Sequence, residues 1–192
     1  MKALACMLVA VLAMVWASAA FALDITFDDV ISVGNPSVTM LDTHGYRFTG
    51  AFRTIDTPGG TLATNASAVY LGQDGFGAGI TVSRADGSPF ILYGFDAAGF
   101  YALSSPGSSN AQQVSLAGLR VDGGILSALY GLSSPPGFTH FSVPTTWSDL
   151  QAVTFTGLVS GATPGAFALD DVAVGLGPSN PVAEPPLPWR WP

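Results

Sequence analysis

The sequence predicts an all-β domain, an antiparallel β-sandwich or jelly roll. Three observations carry that prediction: apolar residues recur with a period of two in short runs, turn residues separate the runs at short intervals, and no long window places apolar side chains at helical spacing. The first run, 23–30, alternates Ile25 and Phe27 with polar residues; the second, 46–52, does the same with Phe48 and Phe52 and leads to Pro58-Gly59-Gly60. Run 68–71 ends near Asp74-Gly75, run 79–84 at Asp86-Gly87, and runs 90–95 and 100–103 before Ser105-Pro106-Gly107. Run 114–121 ends at Asp122-Gly123-Gly124, run 125–132 at Ser134-Pro135-Pro136-Gly137, and runs 138–143 and 152–156 are followed by Thr163-Pro164-Gly165 and the last run, 167–174. Each break has a backbone reason, because Gly reaches positive φ and Pro presets φ. Such short connections favour antiparallel pairing. Only residues 146–150 suggest a brief helical turn.

Ahead of this domain, Lys2, the apolar run 3–16 and the small residues of Ala17-Ser18-Ala19-Ala20-Phe21-Ala22 have the three-part build of a secretory signal peptide. Residues 1–22 are therefore expected to be a cleaved leader, 23–174 the folded domain, and 175–192, with six prolines and no periodicity, a Pro-rich disordered tail. The expected location is outside the cytoplasm, with no membrane span left after cleavage. The one cysteine, Cys6, lies in the leader, so the mature chain has no thiol for nucleophilic, redox or metal chemistry. It also has no lysine, and five arginines against thirteen acids leave it at −8. Binding to a phosphate backbone depends on neutralisation by Lys and Arg, so nucleic acid is excluded as a partner.

Two Asp-Asp steps stand at opposite ends of the domain, Asp28-Asp29 in the first run and Asp170-Asp171 in the last. Strand alternation would put Phe167, Leu169 and Asp171 on one face and Asp170, Val172 and Val174 on the other, and Asp29 behind Ile25 and Phe27. A carboxylate near a core must be paired or coordinated. If the first and last strands pair, the four carboxylates could converge on a structural Ca²⁺, which takes hard oxygen ligands. The alternative is that they cap turn amides or pair with Arg47, Arg53 or Arg120.

Sugar binding is the second candidate, through rings with an apolar body and a polar tip. Tyr93, Tyr101, Tyr130 and Trp147 are the expected stacking residues among rings that also include Tyr46 and Tyr70, with Asp96 and Asn110 as polar neighbours. Phe48, Phe52, Phe90, Phe155 and Phe167 are expected in the core. Catalysis is the weakest reading. The only glutamate, Glu184, lies in the tail, so an Asp-based hydrolase would have Asp pairs alone, and His44 and His140 have no spaced partner for zinc.

The segment from Gly124 through Phe138, Phe141-Ser142-Val143-Pro144, residues 147–155 and Phe167-Ala168-Leu169-Asp170-Asp171-Val172-Ala173-Val174 resembles the second half of exported bacterial PEP-CTERM proteins. Residues 79–96 are similar to their strand, Asp-Gly hairpin, strand segment. The resemblance implies a non-catalytic β-sandwich at the cell surface, in the periplasm or in an exopolysaccharide matrix. The family's tail carries Val-Pro-Glu-Pro, an apolar span and an arginine cluster. Here Val182-Ala183-Glu184-Pro185 departs from that motif and neither later feature follows, so unanchored release or a shifted reading frame is expected. The Asp-Asp-Val of the last run is also similar to the calcium-site strand of jelly-roll carbohydrate-binding modules, which supplies an alternative function: a polysaccharide-binding module with structural calcium.

Overall fold

The computed structural model describes residues 22–32, 35–56, 68–73, 79–99, 110–133, 137–161 and 163–177. Residues 1–21 of the expected leader, the expected run 100–103 with Tyr101, the expected turns at 58–60, 74–75, 105–107 and 134–136, and the expected tail from 178 lie outside these residues. Among the described residues there is no helix.

Twelve strands are described: β1 Leu23–Ile25, β2 Ser37–Thr43, β3 Tyr46–Asp56, β4 Val69–Gln73, β5 Ile80–Arg84, β6 Phe90–Ala98, β7 Gln113–Arg120, β8 Ile125–Gly131, β9 Thr139–Ser142, β10 Leu150–Ser160, β11 Thr163–Pro164 and β12 Phe167–Leu176. They pair in the order β8-β7-β10-β5-β3-β4-β12-β6-β9, with β2 on β3, β1 on β12 and β11 on β10. Every pairing of two strands is antiparallel. One further pairing, Leu150 with Phe90, joins β10 to β6 and closes six strands into a barrel-like ring.

Closure depends on β3 changing partners along one edge. Tyr46–Gly50 pairs with β5, and Arg53–Asp56 pairs with β4. Gly50, at φ 142°, marks the change, and a Cβ there would collide with the Gly79 carbonyl oxygen.

The ring is filled from within. Phe48, Phe52, Phe90, Phe155 and Phe167 are all buried, as their spacing predicts. Phe95 meets Phe155 edge-on at 5.1 Å, and Phe27 meets Phe48 in the same way at 5.1 Å. A smaller cluster of Ile55, Tyr70, Ala98, Ala166 and Ala168, with Phe138 against it, packs separately from this core.

Four expectations are corrected. First, β2 has no counterpart among the predicted runs, because it lies on the outside of β3, a register shift between Val38 and Met40 breaks its alternation, and Met40 is exposed. Its two-residue turn lacks the usual Asn-Gly or Asp-Gly signal, with His44 at φ 51° and Gly45 at φ 79°, both positive as a hairpin turn of the primed type requires.

Second, Asp86-Gly87 makes a hydrogen-bonded turn, Gly87 N to Arg84 O at 3.1 Å, but the strands it joins do not pair. Instead β5 lies between β10 and β3 while β6 lies between β12 and β9. Pro89 immediately precedes β6 and has no N–H to give a ladder. At Asp122-Gly123 the same dipeptide does form a hairpin, with β7 and β8 in unbroken register.

Third, no helical turn forms at 146–150: a tight turn over 144–147, closed by Trp147 N to Pro144 O at 3.0 Å, leads into β10 at Leu150.

Fourth, β1 stops at Ile25. Residues 27–30 turn, with Val30 N on Phe27 O at 2.9 Å, so Asp28 and Asp29 are on an exposed bend and not in a strand.

Candidate functional site

Pairing of the first and last strands is as the acid-rich ends required: Leu23 faces Val174, Asp24 faces Ala173 and Ile25 faces Val172. β12 has β6 along one edge. On the other edge β4 pairs with Phe167–Leu169 and β1 with Val172–Val174. Asp170 and Asp171 fall in the gap between those two partners.

There β12 carries a bulge. The register against β6 shifts between Asp170 and Ala173, and Asp171 adopts φ 43°. The extra residue flips the alternation, so Phe167, Leu169, Val172 and Val174 all enter the same core. The expected split, with Phe167 and Leu169 on the opposite face from Val172 and Val174, is thereby overturned. Asp can take this backbone conformation more readily than most residues. Burying both valines contributes roughly 3–6 kcal/mol.

The bulge leaves Asp170 fully buried, with its Oδ1 accepting the Asp171 amide at 2.9 Å, and turns Asp171 outward into a cleft of about 350 Å³. Asp24, Thr26, Asp96, His140 and Asp171 line that cleft. Each is there for a sequence reason. On β1, Asp24 and Thr26 flank the buried Ile25 and so share the outer face. On β6 and β9, Asp96 and His140 are direct cross-strand partners, and Asp170 opposes Asp96 from the other side. His140 Nδ1 donates to Asp96 Oδ1 at 2.8 Å. A Cβ at Gly94 would lie 3.2 Å from the imidazole Cε1 and 2.8 Å from the Phe141 carbonyl oxygen, so the bare glycine lets the ring lie close to the sheet.

The cleft is acidic and its charges interact. Burial pushes the Asp171 carboxyl above the ordinary carboxylate range, the nearby Asp96, Asp24 and Asp28 push it further, and His140 opposes them. Among the described residues no lysine or arginine lines the cleft.

The four carboxylates named from sequence do not converge. Asp28 accepts the amides of Ala68 at 2.6 Å and Val69 at 3.4 Å, the turn-capping role named as the alternative. Asp29 is exposed, 3.8 Å from His44 Nε2, and Asp170 is sealed inside. Among the described residues no group of three or more His, Cys, Asp or Glu side chains has the arrangement of a metal site. The bulge separates Asp170 from Asp171 and the bend commits Asp28 Oδ1 to backbone amides, so these positions add no support to the Ca²⁺ expectation for Asp28, Asp29, Asp170 and Asp171. The arginines are engaged elsewhere, Arg47 with Asp42 at 2.8 Å and Arg120 near Asp149 at 3.5 Å.

The stacking rings fare unevenly. Trp147 is buried, its ring lying over Gly118 where a Cβ would be 2.9 Å from Cζ3, so it has no face to offer a sugar. Tyr46 and Tyr70 are buried as well. Tyr130 is half-buried against Phe95 at 5.5 Å and Phe141 at 5.2 Å, and burial raises its hydroxyl pKa. Half-buried Tyr93 lies against Gly175. Of the residues that line the cleft, Asp171 and Asp96 are among those the sequence singles out and His140 is considered there only for zinc, whereas Asp24 and Thr26 are not singled out. The alternation of Asp24 and Thr26 about Ile25 was a readable signal, whereas the meeting of His140 with Asp96 depends on strand register.

No protein-family model and no curated protein matches the sequence. Among solved structures the fold is similar to the N-terminal CBM22-1-CBM22-2 tandem domain of Paenibacillus barcinonensis Xyn10C, with TM-score 0.45 and 11% identity over 86% of this chain and 49% of that one. It is also similar to the CBM22-1-GH10 modules of the Clostridium thermocellum endo-1,4-β-D-xylanase 10B complexed with xylohexaose, with TM-score 0.39 and 10% identity over 82% and 29%. A CBM4 structure follows, with TM-score 0.29 and 15% identity over 81% and 86%. The chain spans about half the length of the first and under a third of the second. At these scores the ligands of those proteins are not transferred to this cleft.

Proposed function

We propose that this protein is an exported, non-catalytic carbohydrate-binding module that seats a neutral, hydroxyl-rich saccharide in the cleft of Asp24, Thr26, Asp96, His140 and Asp171. The observation that carries the reading is the Asp96–His140 pair at 2.8 Å inside a cleft whose other polar groups are two carboxylates and a hydroxyl. Sugar hydroxyls are donors as well as acceptors, and carboxylates accept strongly. The cleft's size is within the range of small-ligand sites. Its acidity works against sulfated or uronate polymers through like-charge repulsion. Export and an extracellular matrix setting, implied by the leader and the PEP-CTERM resemblance, would bring such a module to its polymer. In this proposal the ring of strands is a flattened one, a sandwich or jelly roll closed at Leu150 and Phe90.

The test is affinity electrophoresis and calorimetry against neutral and anionic polysaccharides, with Asp96→Asn and His140→Ala as variants. Binding to a neutral polymer that both variants weaken at least tenfold, without loss of folding, is the expected result. Equal retention of wild type and variants, or no binding to any saccharide, would reject the reading and leave a matrix protein without saccharide preference.

A second reading, Asp-based hydrolysis, is favoured by one observation: Asp171 is held toward its protonated form beside other carboxylates, as a general acid would be. Release of reducing sugar by wild type, abolished in Asp171→Asn while binding persists, would select it.

A further inference from the structure

We infer that two copies of this chain pair through β8, edge to edge and antiparallel about a two-fold axis at Ala128. The strand order ends at β8, whose inner edge is taken by β7 and whose outer edge has no strand on it among the described residues. An unpaired strand edge is a template for another strand, and proteins usually blunt such edges by shortness, charge or a bulge. The other outlying strands here are blunted in those ways. β1, β9 and β11 have three, four and two residues, and β2 carries Asp42 and a register shift. β8 has seven residues, Ile-Leu-Ser-Ala-Leu-Tyr-Gly, with no charge, no proline and no break in register.

The side chains indicate a second copy as the occupant. Ile125 and Leu129 are 76% and 55% exposed, and on the neighbouring strand Leu119, which faces Ile125, is 42% exposed. A chain at −8 after loss of its leader repels its copies over most of its surface, but the seven residues of β8 contribute no charge to that repulsion. Antiparallel pairing about Ala128 would set Ile125 against Gly131 and Leu129 against Ser127 on the exposed face, large against small in each case. Leu126 would meet Tyr130 on the other face. A symmetric pairing of this kind closes after two copies and leaves no further edge of the same type.

Sedimentation of the purified chain over a range of concentrations, with Leu129→Asp and Met40→Asp beside wild type, tests this. The two-fold would bring the two new carboxylates of Leu129→Asp within roughly 7–8 Å of each other. Met40→Asp places the same charge on exposed, bulged β2. Wild type and Met40→Asp are expected to form dimers, and Leu129→Asp is expected to sediment as a monomer with an unchanged circular dichroism spectrum. Dimerisation should strengthen with salt as the net charge is screened. A wild type that stays monomeric, or a Leu129→Asp variant that still dimerises, overturns the inference. Hydrogen exchange on wild type gives an independent reading should the variant fail to fold: outer-edge amides of β8 become protected as concentration rises, and exchange independent of concentration also overturns it.

Discussion

At Asp28-Asp29 the backbone is bending away from β1 and both residues are exposed. At Asp170-Asp171 the same dipeptide sits inside a ten-residue strand, with one carboxylate sealed and its neighbour turned into a cleft. The difference is one of strand neighbours. Beyond Ile25 the chain has left its ladder, so Asp28 is free to cap the amides of Ala68 and Val69 and Asp29 lies beside His44. Residues 170–171 have β6 on one side and the junction of β4 and β1 on the other, and the bulge reconciles that junction with a continuous core. One acidic pair is a consequence of chain reversal; the other shapes the candidate site.

The sharpest way to break this comparison is Asp171→Val. A β-branched residue tolerates φ 43° poorly, and a strand straightened at this position turns Val172 and Val174 out of the core, costing roughly 3–6 kcal/mol, comparable with the whole stability of many domains. Urea denaturation is expected to show a lost or strongly lowered transition; an unchanged midpoint would mean that the bulge is not what seats the two valines. At the preceding position, Asp170→Ala deprives the Asp171 amide of its side-chain acceptor and is expected to cost about 1–3 kcal/mol in the same measurement.

On the other side of the comparison, Asp28→Ala should cost about 1 kcal/mol through the amides of Ala68 and Val69. Asp29→Ala should stay within about 0.5 kcal/mol of wild type. Equal effects from the two would contradict the capping geometry.

The smallest effect distinguishes the two steps by pH. Burial and neighbouring carboxylates raise the folded pKa of Asp171 above its unfolded value. Its contribution to stability is therefore fully present below the ordinary carboxylate range and is lost as pH rises through the raised value, so at neutral pH the ionised group weighs against the fold. Asp171→Asn, which keeps a residue tolerant of φ 43°, is expected to raise Tm modestly at neutral pH, with the gain shrinking as pH falls through that value. A gain independent of pH would assign the effect to something other than ionisation.

Much of the fold was legible because alternation about buried aromatics survives in any sheet. Phe48, Phe90 and Phe155 each sit in runs that became β3, β6 and β10. Turn chemistry was legible where the dipeptide alone decides, as at Asp122-Gly123, and misleading at Asp86-Gly87, where Pro89 withholds an amide from the ladder. Strand β2 was hidden by its own register shift and by a His-Gly turn that carries neither Asn nor Asp. For the site, the two acidic steps drew attention to the correct region through Asp171, but not to the partners of that residue. Trp147 illustrates the opposite error: an aromatic with a polar tip reads as a surface ring, yet the small Gly118 beneath it creates a place for it inside.

By itself, the amino-acid order determined an all-β fold with a phenylalanine-rich interior, strongly acidic and without a thiol beyond Cys6. Those properties follow from composition and from spacing along one strand at a time. Only the tertiary structure decided that the strands close into a ring, that β12 bulges at Asp171, and that Asp96 and His140 meet beside Asp24. Each of these is a matter of register between segments far apart in the chain, and a shift of one residue exchanges the two faces of a strand without altering its local pattern.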